Sequence, residues 1–368
     1  MNPTARQSMW LVALVAVLML LPLVDERVRQ VIGLSLTEQL TLIFIYSILA
    51  LGLNVVVGYT GLLHLGIAAF FGIGVYITGI LTVAAYPFQI GFLGSLVCAT
   101  LGAALMGFVL GAPTLRLRGD YLAIVTLGFG EVVRFTLRNL EEITAGKRGL
   151  NPIPPPVVPK WLSGGLDQLQ GNFFGEGQYK LYYFIALIAL VVVVSLLMNL
   201  ERSRLGRAWV AVREDELAAS CMGINTARVK LSAFSLGAAL AGAAGALYAT
   251  TLQSTADPDA FDFNRSIVML CCVILGGLGS LRGTLLGVLL LIGFDNALAP
   301  ALDAFIQNAD INPSGSVWLT FSNWKLMIFG LALVLMMRYR PEGLLPSARV
   351  RQELHTEPTQ PGTLARAQ

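Results

Sequence analysis

From Tyr182 to Leu200 the chain carries no charged side chain, and several other runs of comparable length are nearly as apolar. About twenty such residues cross the ~30 Å hydrocarbon core of a bilayer as an α-helix, the only single-segment conformation that satisfies its own backbone polar groups there. A chain made of these runs is confined to a helical membrane bundle. Composition agrees, since the 368 residues are 55% hydrophobic and 13% charged with a mean hydropathy of +0.71, outside the range of soluble domains. A net charge of +3, dispersed over many loops, marks no nucleic-acid partner. The four cysteines, Cys98, Cys221, Cys271 and Cys272, have no metal-ligand spacing and read as packing residues.

Ten apolar runs are legible, at about 9–24, 40–57, 62–84, 88–112, 121–140, 182–200, 231–252, 266–279, 284–302 and 324–337. They predict an all-α polytopic bundle of about ten transmembrane helices within residues 1–346, with a disordered polar tail over 347–368. The first run is followed by LPLVDERVRQ, which lacks a small-x-small cleavage site, so it reads as a span. GYTG at Gly58 to Gly61 predicts a tight hairpin between the second and third runs, placing Asn54 and Thr60 near one membrane face. The third run carries Gly66, Gly72, Gly74 and Gly79, and the seventh Gly237, Gly242 and Gly245. Small residues let helices approach closely in lipid, so both runs belong in the interior. His64 reads as a structural histidine, and the short, glycine-rich eighth run as a broken or re-entrant helix.

The fifth run is the least oily. Glu131 and Arg134 share one helix face and are expected to pair; a structural ion pair and a substrate-path element are both open readings. Together with Asn54, Thr60, Thr126 and Gly128, Glu131 makes up the candidate substrate path. A polar insertion at 141–178 follows, expected on the periplasmic side, whose proline run excludes regular helix. Lys147 follows Gly146, but Arg148 stands where a phosphate loop requires Ser or Thr. No cluster of residues has catalytic or metal-ligand spacing, so neither a catalytic residue nor a metal is expected, and the chain is not read as an enzyme.

Residues 201–226 form a charged elbow between two runs. Leu205, Trp209, Val212, Glu216 and Ala219 recur near helical spacing, predicting one interfacial helix from about Gly206 to Met222 that ends at Gly223. Arg202, Arg204, Arg207 and Arg213 place it in the cytoplasm, and Arg116, Arg118, Arg282, Arg338 and Arg340 extend that bias to both termini. The pattern alone fits either a topology anchor or a docking helix for a soluble partner.

Four segments, GLNVVVGYTGLLHLGIAAFFGIGVY, TLRLRGDYLAIVTLGFGEVVR, REDELAASCMGINTARVKLSAF and ILGGLGSLRGTLLGV, resemble the permease subunits of branched-chain amino-acid ABC importers of the LivM type. The resemblance covers about Ile45 to Leu345. It implies an ABC importer permease architecture in the bacterial inner membrane, surrounded by lipid, with a homologous permease subunit as partner in a heterodimer. It also implies two cytoplasmic ATPases and a periplasmic substrate-binding protein. ATP and Mg would be bound by the ATPase subunits, leaving no cofactor in this chain. By resemblance the elbow is the ATPase-coupling loop, represented by Arg207, Arg213, Glu216, Ala218, Ala219 and Gly223. Leu217 occupies the family's acidic position, with Glu216 beside it.

Two further departures are His64-Leu65-Gly66-Ile67 where the family often has Ser-Leu-Gly-His, and Thr144-Ala145-Gly146 where it often has a Gly-Gly stretch. No role is therefore carried over to His64. The implied mechanism is alternating access between two permeases, driven by ATP binding in the partner subunits. A urea or short-chain amide importer permease shares the architecture. A secondary transporter or channel would work without the elbow, and a membrane enzyme lacks the residues for chemistry.

Overall fold

The computed structural model describes residues 35–87, 89–114, 119–154, 179–300, 321–340 and 342–346, with positions 18, 19, 21, 22, 25, 302 and 303. Most of the first expected span, most of the 141–178 insertion, Arg116 and Arg118 in the turn before the fifth run, and the 347–368 tail lie outside these residues. The helices are α1 (Leu36–Asn54), α2 (Ile67–Thr82), α3 (Phe92–Thr114), α4 (Asp120–Asn139), α5 (Glu141–Thr144), α6 (Tyr179–Arg202), α7 (Arg204–Glu214), α8 (Glu216–Cys221), α9 (Thr226–Leu252), α10 (Phe263–Gly276), α11 (Leu281–Gly293) and α12 (Phe321–Tyr339). Each of the second to tenth apolar runs overlaps one of them. Among the described residues, four helical stretches are long and apolar enough to cross a membrane: 36–59, 92–114, 180–202 and 226–252.

α9 is the central helix, packed against α1, α2 and α3. The approach is close because its small residues face other backbones. A Cβ on Gly242 would lie 2.7 Å from the Ala99 carbonyl of α3, and one on Gly237 2.9 Å from the Gly52 carbonyl of α1. On α2, a Cβ added to Gly74 would lie 2.3 Å from the Gly242 carbonyl oxygen. In lipid such backbone proximity replaces the hydrophobic drive that assembles soluble bundles. The outward positions of α3, including Leu93, Val97, Leu101, Leu105 and Phe108, stay exposed and apolar, a surface suited to hydrocarbon.

Two expectations are corrected. The hairpin at Gly58 to Gly61 does not form: α1 continues as a π-helix over Val55–Tyr59, and residues 61–66 run without helix to α2. The helix end is pinned because Gly279 sits against Gly58, where a Cβ would lie 2.5 Å from the Gly279 nitrogen. The non-helical segment is held from outside its own backbone, with the Leu65 N–H donating to Thr126 Oγ1 (3.1 Å). Such irregular backbone at membrane depth is viable only when protein covers it. The elbow, expected as one helix, is two, for a reason set out with the site below.

The glycine-rich eighth and ninth runs fold as α10 and α11, joined by a turn at Gly277 (φ 121°) and Gly279 (φ 74°). These angles lie in the region open mainly to glycine. The turn is fixed on one side by Asn54, whose Oδ1 accepts from the Gly279 N–H (2.9 Å). On the other side the chain after α12 returns, its Leu344 and Leu345 N–H groups donating to the carbonyls of Leu275 (2.9 Å) and Gly276 (3.0 Å).

Candidate functional site

The elbow is built on caps. Ser203 begins α7 by accepting the Gly206 N–H (3.2 Å). Asp215, in extended conformation (φ −154°), stops α7 and starts α8 by accepting the N–H groups of Leu217 (2.8 Å) and Ala218 (3.0 Å). A side chain that satisfies the first amides of a new helix breaks a continuous one at that point, which is why the helical spacing of the sequence resolves into two helices. Gly223 ends α8 with φ 83°, and Asn225 caps α9.

α7 is locked to the bundle by Trp209, which is 1% exposed. Its Nε1 donates to the Val229 carbonyl (3.1 Å) and Ser232 Oγ (3.0 Å) of α9, and its ring stacks on Tyr59 at the end of the π-turn after α1 (6.3 Å). α8 is tied to α9 by the Glu216–Lys230 ion pair (2.7 Å). Lys230 is 5% exposed, and a charge so placed requires such a partner.

The six coupling candidates divide by direction. Arg213 points into the bundle, where its guanidinium donates to the Gly58 carbonyl and its Nη1 lies 3.3 Å from the Cβ position of Gly279. Its stem covers Gly61, 3.1 Å from where a Cβ would stand. One side chain thus touches the π-turn after α1, the start of the 61–66 segment and the α10–α11 turn. Glu216 is engaged with Lys230, and Ala219 is buried. Arg207, Ala218 and Gly223 are exposed, Arg207 also donating to the Arg202 carbonyl (2.8 Å).

Two outward residues stand outside the six coupling candidates. Leu217 is 68% and Met222 82% exposed, large apolar side chains on a charged elbow beside exposed Ala218 and Cys221. Their signal is a leucine and a methionine at positions where the helical spacing points away from the bundle.

The substrate-path candidates are not brought to one place. Asn54 and Thr60 are buried at the elbow end of α1, Thr60 donating to the Val56 carbonyl (2.6 Å). Thr126 supports the 61–66 segment, while Gly128 lies exposed on α4 with nothing near its Cβ position. Glu131 pairs with Arg134 (2.7 Å), and Arg134 also reaches Asp259 (3.0 Å), which Arg138 approaches at 3.5 Å. Asp259 belongs to the loop after α9, a partner that no local spacing could reveal.

Comparison with known proteins places this geometry. The family model described as the branched-chain amino acid transport system permease component matches residues 35–337. The LivM permease protein of the high-affinity branched-chain amino acid transport system of Escherichia coli is 39% identical over 362 residues, covering 95% of this chain and 78% of the relative. A probable LivM permease of Methanocaldococcus jannaschii is 27% identical over 340 residues, covering 82% of this chain and 90% of the relative. The LivH permease protein of Escherichia coli is 28% identical over 271 residues, covering 70% and 82%. No solved structure matches the chain. An all-helical membrane fold, apolar helices joined by a capped elbow and a family match over most of the length converge: the chain belongs to the permease component family of branched-chain amino acid transport systems.

Proposed function

We propose that this chain is the permease subunit of an ATP-driven importer for branched-chain, or other small and largely hydrophobic, amino acids in a bacterial inner membrane. It works beside a LivH-like permease in a heterodimer, receives substrate from a periplasmic binding protein, and takes its motion from two cytoplasmic ATPases that bind ATP and Mg. Both termini are cytoplasmic in this reading. The named functions of the relatives support the substrate class.

The observation that carries the coupling role is the two-sided elbow. Outward it presents apolar Leu217 and Met222 to a soluble partner; inward Arg213 holds three glycine-bearing elements. A push on α7 and α8 is delivered to the ends of α1, α2, α10 and α11 together. Alternating access needs such a link between the ATPases and the spans, because a permease moves only through a difference in contacts between its two states.

The test is reconstitution of this chain with its partner permease, ATPases and binding protein, followed by ATP hydrolysis and uptake assays with leucine, isoleucine, valine, other amino acids and urea. Stimulation by the branched-chain amino acids is expected. Stimulation by urea alone would overturn the substrate class, and failure of any ATPase to associate would overturn the coupling role.

A further inference from the structure

The described residues line an open cavity of about 450 Å³ at the end of α10 remote from the elbow, between α1, α9, α10 and the π-turn after α11. That volume falls within the ~300–1,000 Å³ range of small-molecule sites.

Its chemistry is mixed in a particular way. Arg265, on the first turn of α10, lines it between two aromatic rings, its guanidinium carbon 5.5 Å from the Tyr46 centroid and 5.8 Å from that of Tyr248. Its Nε donates to the Ala260 carbonyl (2.7 Å) and its Nη1 to the Tyr46 hydroxyl. No carboxylate among the described residues forms an ion pair with it. The neighbouring acids are engaged elsewhere: Asp259 with Arg134 and Arg138, Asp262 as the cap of α10. A part-buried cation whose side-chain hydrogen bonds go to a carbonyl and a hydroxyl leaves its remaining donors for an anion, since charge withdrawn from water costs several kcal/mol unless it is paired.

The same cavity is lined by Asp262 and Asp295, and by an apolar wall that includes Leu42, Met269 and Ile292. Asp262 accepts the Arg265 N–H and the Asn264 side chain, yet an ionised carboxylate offers about four acceptor positions.

We propose that this cavity binds a free amino acid inside the subunit: Arg265 takes the α-carboxylate, Asp262 the α-ammonium, and the apolar wall the aliphatic side chain. The site rests on the amino-acid importer reading and deepens it, giving substrate a resting place away from α4, where most sequence candidates stood. The shared chemistry is that of a small zwitterion, which a phosphatidylethanolamine headgroup also carries, so the experiment separates the two.

The complete transporter, without its binding protein, is placed in nanodiscs of phosphatidylcholine and phosphatidylglycerol, and radiolabelled leucine is titrated. Saturable binding is expected in the unmodified transporter, weakened about 10-fold or more by R265Q and by I292W, which fills the cavity, and less by R265K. Uptake with the binding protein present is measured in parallel. Equal leucine binding by unmodified and R265Q transporters, with uptake intact, overturns the site and leaves the importer reading standing. No leucine binding, with added phosphatidylethanolamine raising the melting temperature of the unmodified transporter and not of R265Q, also overturns it and identifies a lipid site. Absence of both leucine binding and leucine uptake fells the importer reading and the site with it.

Discussion

A single side chain, Arg213, joins the elbow to three glycine-bearing elements, and its effect can be isolated. Removing the guanidinium leaves the Gly58 carbonyl without that donor, and hydrogen bonds from charged donors are worth about 1.5–3 kcal/mol. Trp209, Asp215 and the Glu216–Lys230 pair hold the elbow independently of it. Arg213→Ala is therefore expected to keep ATPase association and basal hydrolysis while cutting substrate-stimulated hydrolysis and uptake by about 10-fold. Arg213→Lys should recover part of the loss, because an ammonium can reach one carbonyl but does not lie flat over Gly61 and Gly279. Unchanged coupling in Arg213→Ala would remove the residue from the transmission path. In the sequence this arginine was indistinguishable from the topology-setting arginines around it, since nothing local reports that its partners are some 155 residues earlier at Gly58 and 66 later at Gly279.

At the scale of the element, the elbow shows how far periodicity reaches. Of the spacing Leu205, Trp209, Val212, Glu216 and Ala219, the structure buries Trp209, Val212 and Ala219 and leaves Leu205 exposed. The break at Asp215 was present as an aspartate ahead of a helical stretch, but a carboxylate inside a charged segment reads equally as surface. The same limit explains the π-turn and the 61–66 segment: GYTG carries turn chemistry, yet the path of the chain there is set by Gly279, Thr126 and α9, all distant in sequence. The exposed apolar pair gives the prediction proper to this scale. Leu217→Asp places a charge on the outward face without touching the cap or the ion pair, so this chain should insert normally while its association with the ATPase weakens about 30-fold, the size of a ~2 kcal/mol contact at the centre of an interface. Asp215→Ala acts on the same element from within, and loss of the cap, ~1 kcal/mol, should give a smaller defect of about 5-fold. Co-purification of the ATPase with the two variants measures both; equal binding by Leu217→Asp would place the docking surface elsewhere.

The whole molecule is assembled on α9, and here the sequence was most legible. Alanines and glycines concentrated in the third and seventh runs marked α2 and α9 as interior, and the structure brings Gly74 and Gly245 of these helices against each other's backbone. What composition could not give is the order of neighbours: α1 and α2 follow each other in sequence yet pack chiefly on α9. This arrangement separates two steps that are often confounded. Entry of a helix into the bilayer follows its own hydropathy, whereas association depends on surface fit. Gly74→Val raises the hydropathy of α2 and leaves the first step intact, but its Cβ would stand 2.3 Å from the Gly242 carbonyl oxygen and 2.6 Å from the Gly242 Cα. Backbone atoms cannot yield as a flexible side chain does, and helices forced apart lose the dispersion contacts of the entire crossing. The expected outcome is a chain that reaches the membrane in normal amount, melts at markedly lower temperature in detergent and fails to co-purify with a partner permease. The same substitution at Gly128, whose Cβ position meets nothing within 4 Å in this chain, should leave the melting temperature of the isolated subunit within a few degrees of the unmodified chain. Equal melting temperatures for the Gly74 and Gly128 variants would mean that the α2–α9 crossing does not organise the bundle.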